Sequence, residues 1–468
     1  MRYRLNRLLE PLRCKFVVTK NSPESAAHRY DVVIIGGGPS GSACASWLAQ
    51  AGWDVAVIEK KVFPRAKTCG DGLTPRSVRQ LADMGLEDPV AATGHRYDGL
   101  RAYGFGQSLE MKWPEHPQFP NYGYCITRFD LDDLVASHAA ASGATLLSGC
   151  EAVDLIDCTP SEHTDHLGGC SGVVLKDKES GTTKEILGRI VVIADGANSR
   201  IGRLVGTQRK KEWPMGMALR GYYESDRHDD SFIESHLDIR DPAGTVVPGY
   251  GWIFPLGDGR INVGVGLLST DRRWKGVNTT KLMETFVNFV PDYWGISPES
   301  ACGPATGGRL PMGMAVGPRT GSNVLVIGDA SGSINPFNGE GIAYGYETGR
   351  LAASSIGGAL KSNDLDLLLS YDEAVDAAYG DYYEVARAFV RLISEPKIMA
   401  LCVGLGMRSE YLMSEVLALM ANLVRSDHTG PAEVAYRSLV GLTKLLPDQV
   451  MSALFDTESS LKKVAALR

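Results

Sequence analysis

A glycine-rich turn near the start of the chain has the residue spacing with the clearest chemistry. Gly36, Gly38 and Gly41 form the pattern GxGxxG directly after the apolar run Asp31–Ile35, and Glu59 follows at the end of the next apolar run. Glycines at these positions permit a tight turn, a close approach of the backbone to a pyrophosphate, and close packing of a helix on a strand. The N-terminus of that helix attracts the anion. The pattern therefore predicts a dinucleotide site in which Glu59 accepts hydrogen bonds from a ribose 2′-hydroxyl.

The runs on either side of this turn predict the βαβ unit that positions it. Asp31–Ile35 and Val55–Ile58 are short, apolar and rich in β-branched residues, as in parallel strands that are buried on both faces. Ser42–Gly52 has small and apolar residues at helical spacing and ends in glycine. In this context GxGxxG indicates dinucleotide binding, whereas an isolated copy is also compatible with a plain tight turn.

Two later strand ends each carry a glycine and an aspartate. Asp195-Gly196 follows the run Ile190–Ile193, and Gly328-Asp329 follows the run Val324–Ile327. The carboxyl ends of parallel strands meet at one edge of an open sheet, where ligands bind. We therefore expect both pairs to lie beside the glycine-rich turn, although each pair alone also fits an ordinary strand-ending turn.

Aromatic residues alternate along the segment Pro248–Pro255. Tyr250, Trp252 and Phe254 occupy every second position, so they share one face of a strand. That face is predicted to line an apolar slot. The alternative is that the three rings belong to the core of a sheet.

The composition excludes several classes of function. The chain has 468 residues, 44% of them hydrophobic and 22% charged, with a formal net charge of -7, which is not the basic surface of a nucleic-acid binder. Its 9 cysteines are scattered without a CxxC pair, so neither a disulfide framework nor a metal site is predicted, and a reducing, cytosolic setting is expected. Apolar runs are shorter than the roughly 18 residues of a bilayer-spanning helix.

The predicted elements indicate an α/β protein with a discontinuous nucleotide-binding lobe. The buried runs and a predicted helix over Leu131–Ser142 build that lobe, aromatic alternating segments build a second sheet, and helical periodicity dominates after Gly341. The predicted parts are a basic, disordered leader (1–29), a Rossmann-like nucleotide-binding lobe (30–95, 122–210 and 300–355), an antiparallel-sheet substrate lobe (96–121 and 211–299) and a C-terminal helical region (356–468).

Taken in order, the GxGxxG turn, Asp195-Gly196 and Gly328-Asp329 resemble the three fingerprints of the para-hydroxybenzoate hydroxylase type of flavoprotein. The resemblance covers roughly residues 30–350 and implies that the cofactor is FAD. It implies that Asp329 binds the ribityl chain, that Arg128 lies near the pyrophosphate, and that the turn Asn338–Ile342 starts a helix directed at the flavin, where its N-terminus stabilises the anionic reduced form. The implied FAD contacts are Gly36, Gly37, Gly38, Pro39, Ser40, Gly41, Glu59, Lys60, Cys69, Gly70, Asp71, Gly72, Arg128, Ala152, Asp195, Gly196, Gly328, Asp329, Gly341 and Ile342.

Two further stretches resemble one family within this class of flavoproteins. Pro248–Pro255, with Gly264 and Gly266 after it, resembles the YxWxFP…GxG signature of the geranylgeranyl reductase family, and Cys69–Pro75 resembles that family's glycine-rich cysteine segment. The similarity extends over nearly the whole chain after residue 30 and is greatest to members that saturate one isoprene unit of a menaquinone tail. It implies an FAD-dependent reductase of isoprenoid double bonds. The implied substrate contacts are Tyr250, Trp252, Phe254 and Pro255.

The implied reaction requires a proton source. An isolated trisubstituted alkene has no carbonyl group to accept electron density, so hydride delivery must be coupled to protonation of the other carbon. The candidates are Tyr250, Asp71 and an ordered water, and the sequence does not choose among them. Cys69 is a candidate redox or pocket thiol, or a small apolar filler.

The implied substrate is a prenylated quinone or another isoprenoid lipid, so we expect peripheral contact with the cytoplasmic side of the cell membrane. The C-terminal apolar faces suit an interfacial helix and equally suit packing on the flavin lobe. These faces include Leu412, Val416, Leu417, Met420 and Leu423. No second GxGxxG is present for NAD(P)H, so the electron donor stays open.

Three other functions fit parts of the sequence. They are a same-fold monooxygenase that hydroxylates an aromatic or quinone precursor, a reductase of geranylgeranyl chains in lipids or chlorophyll precursors, and a lipid-binding protein in which FAD is structural. The YxWxFP stretch argues against the monooxygenase.

Overall fold

A computed structural model describes residues 28–159, 161, 165–268, 276–424 and 430–445. Most of the basic leader predicted for residues 1–29 lies outside the described residues. The first strand begins at Arg29, one residue before Tyr30, where the nucleotide-binding lobe was predicted to start.

The described chain alternates strands with helices at first and ends in helices. The strands are β1 (Arg29–Ile35), β2 (Val55–Glu59), β3 (Gly72–Leu73), β4 (His95–Tyr97), β5 (Gly99–Gly104), β6 (Gln107–Lys112), β7 (Gly123–Cys125), β8 (Thr145–Ser148), β9 (Cys150–Ile156), β10 (Gly172–Asp177), β11 (Thr183–Ile193), β12 (Gln208–Arg209), β13 (Met215–Glu224), β14 (Phe232–His236), β15 (Gly249–Pro255), β16 (Arg260–Leu268), β17 (Thr306–Pro311), β18 (Val316–Gly317) and β19 (Val324–Val326). The α-helices are α1 (Pro39–Gln50), α2 (Pro75–Asp83), α3 (Glu87–Thr93), α4 (Arg128–Ala141), α5 (Arg200–Leu204), α6 (Thr279–Phe289), α7 (Ile342–Ser362), α8 (Ser370–Ile393), α9 (Pro396–Gly406), α10 (Glu410–Met420) and α11 (Pro431–Leu445).

The first sheet has the strand order β8-β2-β1-β11-β10-β9, and β19 also pairs with β11. Five of its strands run parallel, namely β8, β2, β1, β11 and β19. In β1, the run Val32–Ile34 is fully buried between helices and strands. β11 is long enough to pair with β10 over its first half and with β19 over its last residues. Buried parallel strands with a crossover helix confirm the predicted Rossmann-like α/β fold.

One face of this sheet is covered by α1, α7 and α8, which share its largest apolar core. α1 and α7 approach closely at glycines: a Cβ on Gly349 would lie 2.5 Å from the carbonyl oxygen of Ser40. Close approach of the two backbones fixes both helix starts relative to the sheet edge.

The second sheet has the strand order β17-β13-β16-β15-β14-β5-β6. Its neighbours are antiparallel except for β14 and β5, which run parallel because they come from distant parts of the chain and need no hairpin. α6 covers one face, where the ring of Phe286 occupies the space beside Gly251 in β15. A largely antiparallel second sheet agrees with the predicted fold class, but it includes β17, which lies within the range 300–355 predicted for the nucleotide-binding lobe. The boundaries of the lobes stay a prediction.

Among the described residues, the C-terminal part of the chain is helical, as predicted. α10 ends before Leu423, the last residue of the predicted apolar face. It ends at Met420 because Asn422 adopts the left-handed conformation, with φ +54°. Leu417 and Leu423 are buried against the β5–β6 end of the second sheet, whereas Leu412 is 45% exposed. Part of the apolar face therefore packs on the protein and part does not. No helix among the described residues is both long and apolar enough to cross a bilayer.

Candidate functional site: the FAD-binding edge and the aromatic strand

The glycine-rich turn is closed by contacts that a side chain would prevent. Gly36 has φ +109°, and a Cβ there would lie 2.3 Å from the carbonyl oxygen of Ala194. A Cβ on Gly41 would lie 1.9 Å from the carbonyl oxygen of Gly36. The turn therefore packs directly on the end of β11 and on the first turn of α1. This contact positions it at the carboxyl edge of the first sheet, the edge that binds ligands in open α/β sheets.

Two helix N-termini lie beside this turn without a side-chain cap. α1 begins at Pro39 and α7 begins at Ile342, each preceded by a glycine. By contrast, Thr74 and Thr127 cap the neighbouring helices α2 and α4 with their hydroxyl groups. The first amides of a helix have no intrahelical acceptor, and the helix dipole attracts negative charge to them. Both helix starts therefore suit an anionic ligand.

Arg65, Arg128 and Asp132 form a buried charge cluster next to the turn. Asp132 accepts a hydrogen bond from Arg65 Nη1 at 2.8 Å, and from Arg128 Nε and Nη2 at 2.5 and 2.8 Å. Arg65 Nη2 lies 3.1 Å from Glu59 Oε2, which also accepts from the amide of Gly37 at 3.1 Å. Asp132 thus holds two guanidinium groups in place, and Glu59 ties one of them to the glycine turn.

The aspartates of the two later fingerprints lie at the same edge of the sheet. Asp195 Oδ2 accepts from the amides of Arg200 and Ile201 at 2.9 and 3.1 Å, whereas its Oδ1 is buried with no partner in the described part of the chain. Asp329 Oδ1 lies 3.3 Å from the Cβ position of Gly341, at the start of α7. Burial raises the pKa of both aspartates.

The donor and acceptor set at this edge fits FAD. The uncapped helix starts suit phosphate oxygens, and the unpartnered Asp195 Oδ1 suits a hydroxyl donor. The Nε of Arg65 is also buried without a partner among the described residues, so it is free to donate to an acceptor of the ligand. Of the other predicted contacts, Lys60 is exposed just after β2, and Ala152 is half-buried in β9.

The loop that contains Cys69 and Asp71 joins this edge to the second sheet. Asp71 is fully buried with φ +66°, and its Oδ2 accepts from the Tyr222 hydroxyl at 2.6 Å and from Asn262 Nδ2 at 2.8 Å. Its Oδ1 faces the amide of Arg128 at 3.3 Å. The carbonyl oxygen of Cys69 also accepts from Asn262 Nδ2, at 2.9 Å. Asp71 therefore fastens the loop to both lobes.

Burial raises the pKa of each of the three residues predicted to take part in the chemistry. Burial raises the pKa of the Cys69 thiol, with Arg128 opposing the shift. Burial also raises the pKa of Asp71 and of the Tyr250 hydroxyl, which donates to the carbonyl oxygen of Asn338 at 2.6 Å. These shifts disfavour a thiolate or phenolate nucleophile. A direct role of the three residues in the chemistry stays a prediction.

The aromatic face of β15 packs on the same loop. The ring of Phe254 lies 3.0 Å from the Cβ position of Gly72. Ring centroids are 5.8 Å apart for Tyr250 and Trp252, and 6.3 Å apart for Trp252 and Phe254. Pro255 ends the strand and belongs to the opposite face by alternation. Trp252 and Phe254 thus face the loop between the lobes, and Tyr250 faces the turn Asn338–Gly339 before α7. The other face of β15 meets α6.

Sequence reasoning missed several residues of this site, and only some of them have a local signal. Asp132 stands four positions after Arg128, the spacing of an ion pair on one helix face. Asn262 is a polar residue within the otherwise apolar run Ile261–Leu268 of β16 and is fully buried. Arg65 and Tyr222 have no such signal, because their partners lie on other elements.

Comparison with known proteins identifies the family. The FAD binding domain family matches residues 29–224. Menaquinone reductase from Mycobacterium tuberculosis is 42% identical over 398 residues, which are 85% of this chain and 92% of the relative. Menaquinone reductase from Mycolicibacterium smegmatis is 39% identical over 399 residues, 85% of this chain and 93% of the relative. Digeranylgeranylglycerophospholipid reductase 2 from Methanosphaera stadtmanae is 29% identical over 361 residues, 76% of this chain and 85% of the relative.

Solved structures have the same fold. A geranylgeranyl bacteriochlorophyll reductase-like protein from Thermoplasma acidophilum superposes with a TM-score of 0.67 at 20% identity, covering 88% of this chain and 96% of its own. The flavin-dependent brominase Bmp2 superposes with a TM-score of 0.66 at 20% identity, covering 89% and 99%. The structures support the fold alone, and the sequence relatives carry the assignment. The chain therefore belongs to the geranylgeranyl reductase family of FAD-dependent oxidoreductases, in the group that includes the mycobacterial menaquinone reductases.

Proposed function

We propose that this protein uses reduced FAD to saturate one isoprene double bond in the tail of menaquinone. The observation that carries the proposal is the aromatic face of β15, which packs on the Cys69–Gly72 loop between the FAD-binding edge and the second sheet. An apolar face beside a flavin site suits a hydrocarbon chain. The names of the relatives at 42% and 39% identity support menaquinone as the substrate.

FAD supplies the hydride when it is bound, and the residues of this chain bind, orient and shield the reacting groups. The charge cluster around Asp132 and the uncapped starts of α1 and α7 bind the cofactor. Tyr250, Trp252 and Phe254 orient the isoprenoid tail and exclude water. Asp71 holds the Cys69–Gly72 loop in place between the FAD-binding edge and the aromatic face of β15, through its hydrogen bonds to Tyr222 and Asn262.

The test is an anaerobic single turnover with the full chain. The FAD of the purified protein is reduced with dithionite, menaquinone with an unsaturated tail is added, and the lipid is analysed by mass spectrometry while the flavin spectrum is recorded. A gain of two hydrogens in the tail together with flavin reoxidation is expected. An unchanged lipid with flavin that reoxidises only in O₂, or a lipid that gains oxygen, would instead favour the monooxygenase. Geranylgeranyl phospholipid in a parallel reaction separates the two reductase alternatives.

Phe254→Ala is expected to raise the KM for menaquinone roughly tenfold or more, because burying a phenyl ring against an apolar partner contributes about 1.5–3 kcal/mol. FAD content and its visible spectrum are expected to stay as in the parent protein. Phe289→Ala is the matched control, since Phe289 is 54% exposed on α6, on the other side of the second sheet. Equal KM values for the two variants would argue that the aromatic face does not bind the tail.

We also propose that the protein docks on the cytoplasmic side of the membrane to reach this lipid. Four large apolar side chains of α9 and α10 are 45–62% exposed, and the exposed cations Lys397 and Arg408 lie at the ends of α9. Apolar side chains flanked by cations suit an anionic lipid surface. This α9–α10 patch consists of Leu401, Leu405, Tyr411 and Leu412.

Leu405→Glu is expected to weaken sedimentation with anionic phosphatidylglycerol vesicles several-fold, because it places a charge in the α9–α10 patch. Leu367→Glu is the control, since Leu367 is also exposed, at 42%, but lies outside the patch. Vesicle binding that both variants retain, or both lose, would contradict docking through this patch. Turnover of a short-chain, detergent-solubilised substrate should remain in both variants.

A further inference from the structure

Glu340 is a buried carboxyl in the turn Asn338–Gly341, immediately before α7. It is 9% exposed. Its Oε1 accepts hydrogen bonds from the hydroxyl of Thr74 and, at 3.0 Å, from that of Ser77. Its Oε2 is buried with no partner among the residues that the structure describes. A buried carboxylate oxygen without a donor is costly, whereas a neutral carboxyl can hold its proton there.

The surroundings of Glu340 favour a proton that is exchanged near neutral pH. Burial raises the pKa of Glu340 to about 7. The negative charge of Glu347 adds to this rise, whereas the hydroxyl donors Thr74 and Ser77 and the positive charge of Arg76 lower the pKa. The titratable and charged groups that act on it come from α2, β4, β15, α7 and α8. They are Arg76, Tyr97, Tyr250, Tyr344, Glu347 and Tyr382.

Glu340 lies between the aromatic face of β15 and the loop of Cys69 and Asp71. The Tyr250 hydroxyl donates a hydrogen bond to the carbonyl oxygen of Asn338, which belongs to the same turn as Glu340. The same hydroxyl lies 3.5 Å from the Cβ position of Gly339. Thr74, which bonds Glu340, caps α2 just after the loop of Cys69 and Asp71. Glu340 therefore stands where the aromatic face, the cysteine loop and the start of α7 meet.

We propose that Glu340 holds the proton that the alkene receives, an inference that rests on the proposed function. FAD held at the glycine-rich turn and the starts of α1 and α7 would, when reduced, supply a hydride with its electron pair to one carbon of the double bond. The other carbon gains the proton of the neutral Glu340 carboxyl, while the π bond is consumed by the two new C–H bonds. Glu340 is left as the carboxylate and regains a proton from solvent before the next turnover. Oε2, which lacks a partner, is the oxygen that bears the proton.

The pH profile of the single-turnover rate tests this assignment. Because the neutral carboxyl is the active form, the rate is expected to be highest below the pKa and to fall as the pH rises through about 7. Glu340→Gln keeps the acceptor for Thr74 and Ser77 but cannot release a proton. It should bind FAD normally, lose this pH dependence, and react roughly 10²–10⁴-fold more slowly.

Ser77→Ala provides a variant that keeps the carboxyl. The Ser77 hydroxyl stabilises the charged form, so its removal should raise the pKa and move the alkaline fall of the rate to higher pH. Ser46→Ala is the matched control, because it removes another buried serine hydroxyl, one that bonds within α1. An unmoved midpoint in Ser77→Ala, or an unchanged alkaline fall in Glu340→Gln, would overturn the proposal.

An infrared titration needs no substrate and separates this proposal from the proposed function. The protonated carboxyl of Glu340 should give a C=O band that disappears as the pH rises through neutrality, and this band should be absent from Glu340→Gln. A missing band in the parent protein refutes the proton-holding role. If the band titrates but the parent protein makes no reduced lipid at any pH, the proposed function fails while the assignment of the titrating carboxyl stands.

Discussion

Asp132→Asn is expected to lower the free energy of unfolding by about 3–5 kcal/mol, because removing one partner of a buried ion pair leaves the other charge uncompensated. The carboxylate of Asp132 is 0% exposed and pairs with Arg65 and Arg128, which are both nine-tenths buried. An amide at this position would lose the charge and direct an N–H group at a guanidinium. Urea unfolding followed by circular dichroism measures the loss, and the FAD content per chain should fall with it.

Asp133→Asn is the control for this change. It removes the same charge at the next position of α4, where the side chain is half-buried. Its effect on the free energy of unfolding should stay within about 0.5 kcal/mol, as for most substitutions away from buried networks. If the two asparagine variants unfold at the same urea concentration, the cluster of Arg65, Arg128 and Asp132 does not stabilise the FAD-binding edge.

Gly41→Ala is expected to yield protein with little FAD and with a free energy of unfolding lower by about 3 kcal/mol. The added Cβ would stand 1.9 Å from the carbonyl oxygen of Gly36. That oxygen belongs to the backbone of the turn, so it can move away only if the turn opens and α1 leaves the end of β11. Absorbance of the purified protein gives the FAD content, and thermal unfolding gives the change in stability.

Gly358→Ala makes the same substitution where there is room for it. Gly358 is exposed in α7, and no atom lies within 4 Å of its Cβ position. Alanine is the better helix former, so this variant should gain about 0.5–1 kcal/mol and retain its FAD. Full FAD content in Gly41→Ala would show that the turn tolerates a side chain and would contradict the role given to its close packing.

Features that depend on neighbouring residues could be read directly from the sequence. The runs at Asp31–Ile35 and Val55–Ile58 form strands because β-branched apolar residues suit a sheet buried on both faces. Gly36 and Gly41 mark a turn whose geometry requires glycine locally. The alternation of Tyr250, Trp252 and Phe254 follows from the two-residue period of a strand.

Features that depend on contacts between distant segments were decided only by the tertiary structure. Asp71 accepts a hydrogen bond from the hydroxyl of Tyr222, 151 positions away in the sequence. Glu340 accepts one from the hydroxyl of Thr74, 266 positions away. Sequence spacing contains no signal for such a pair, because each partner's direction depends on how two sheets and their helices pack. The sequence by itself determined the family, the cofactor-binding turn and the strand that bears the aromatic rings. The packing of the lobes decided which carboxyls are buried, what they contact and how readily they release a proton, since burial and nearby donors set the pKa of a carboxyl.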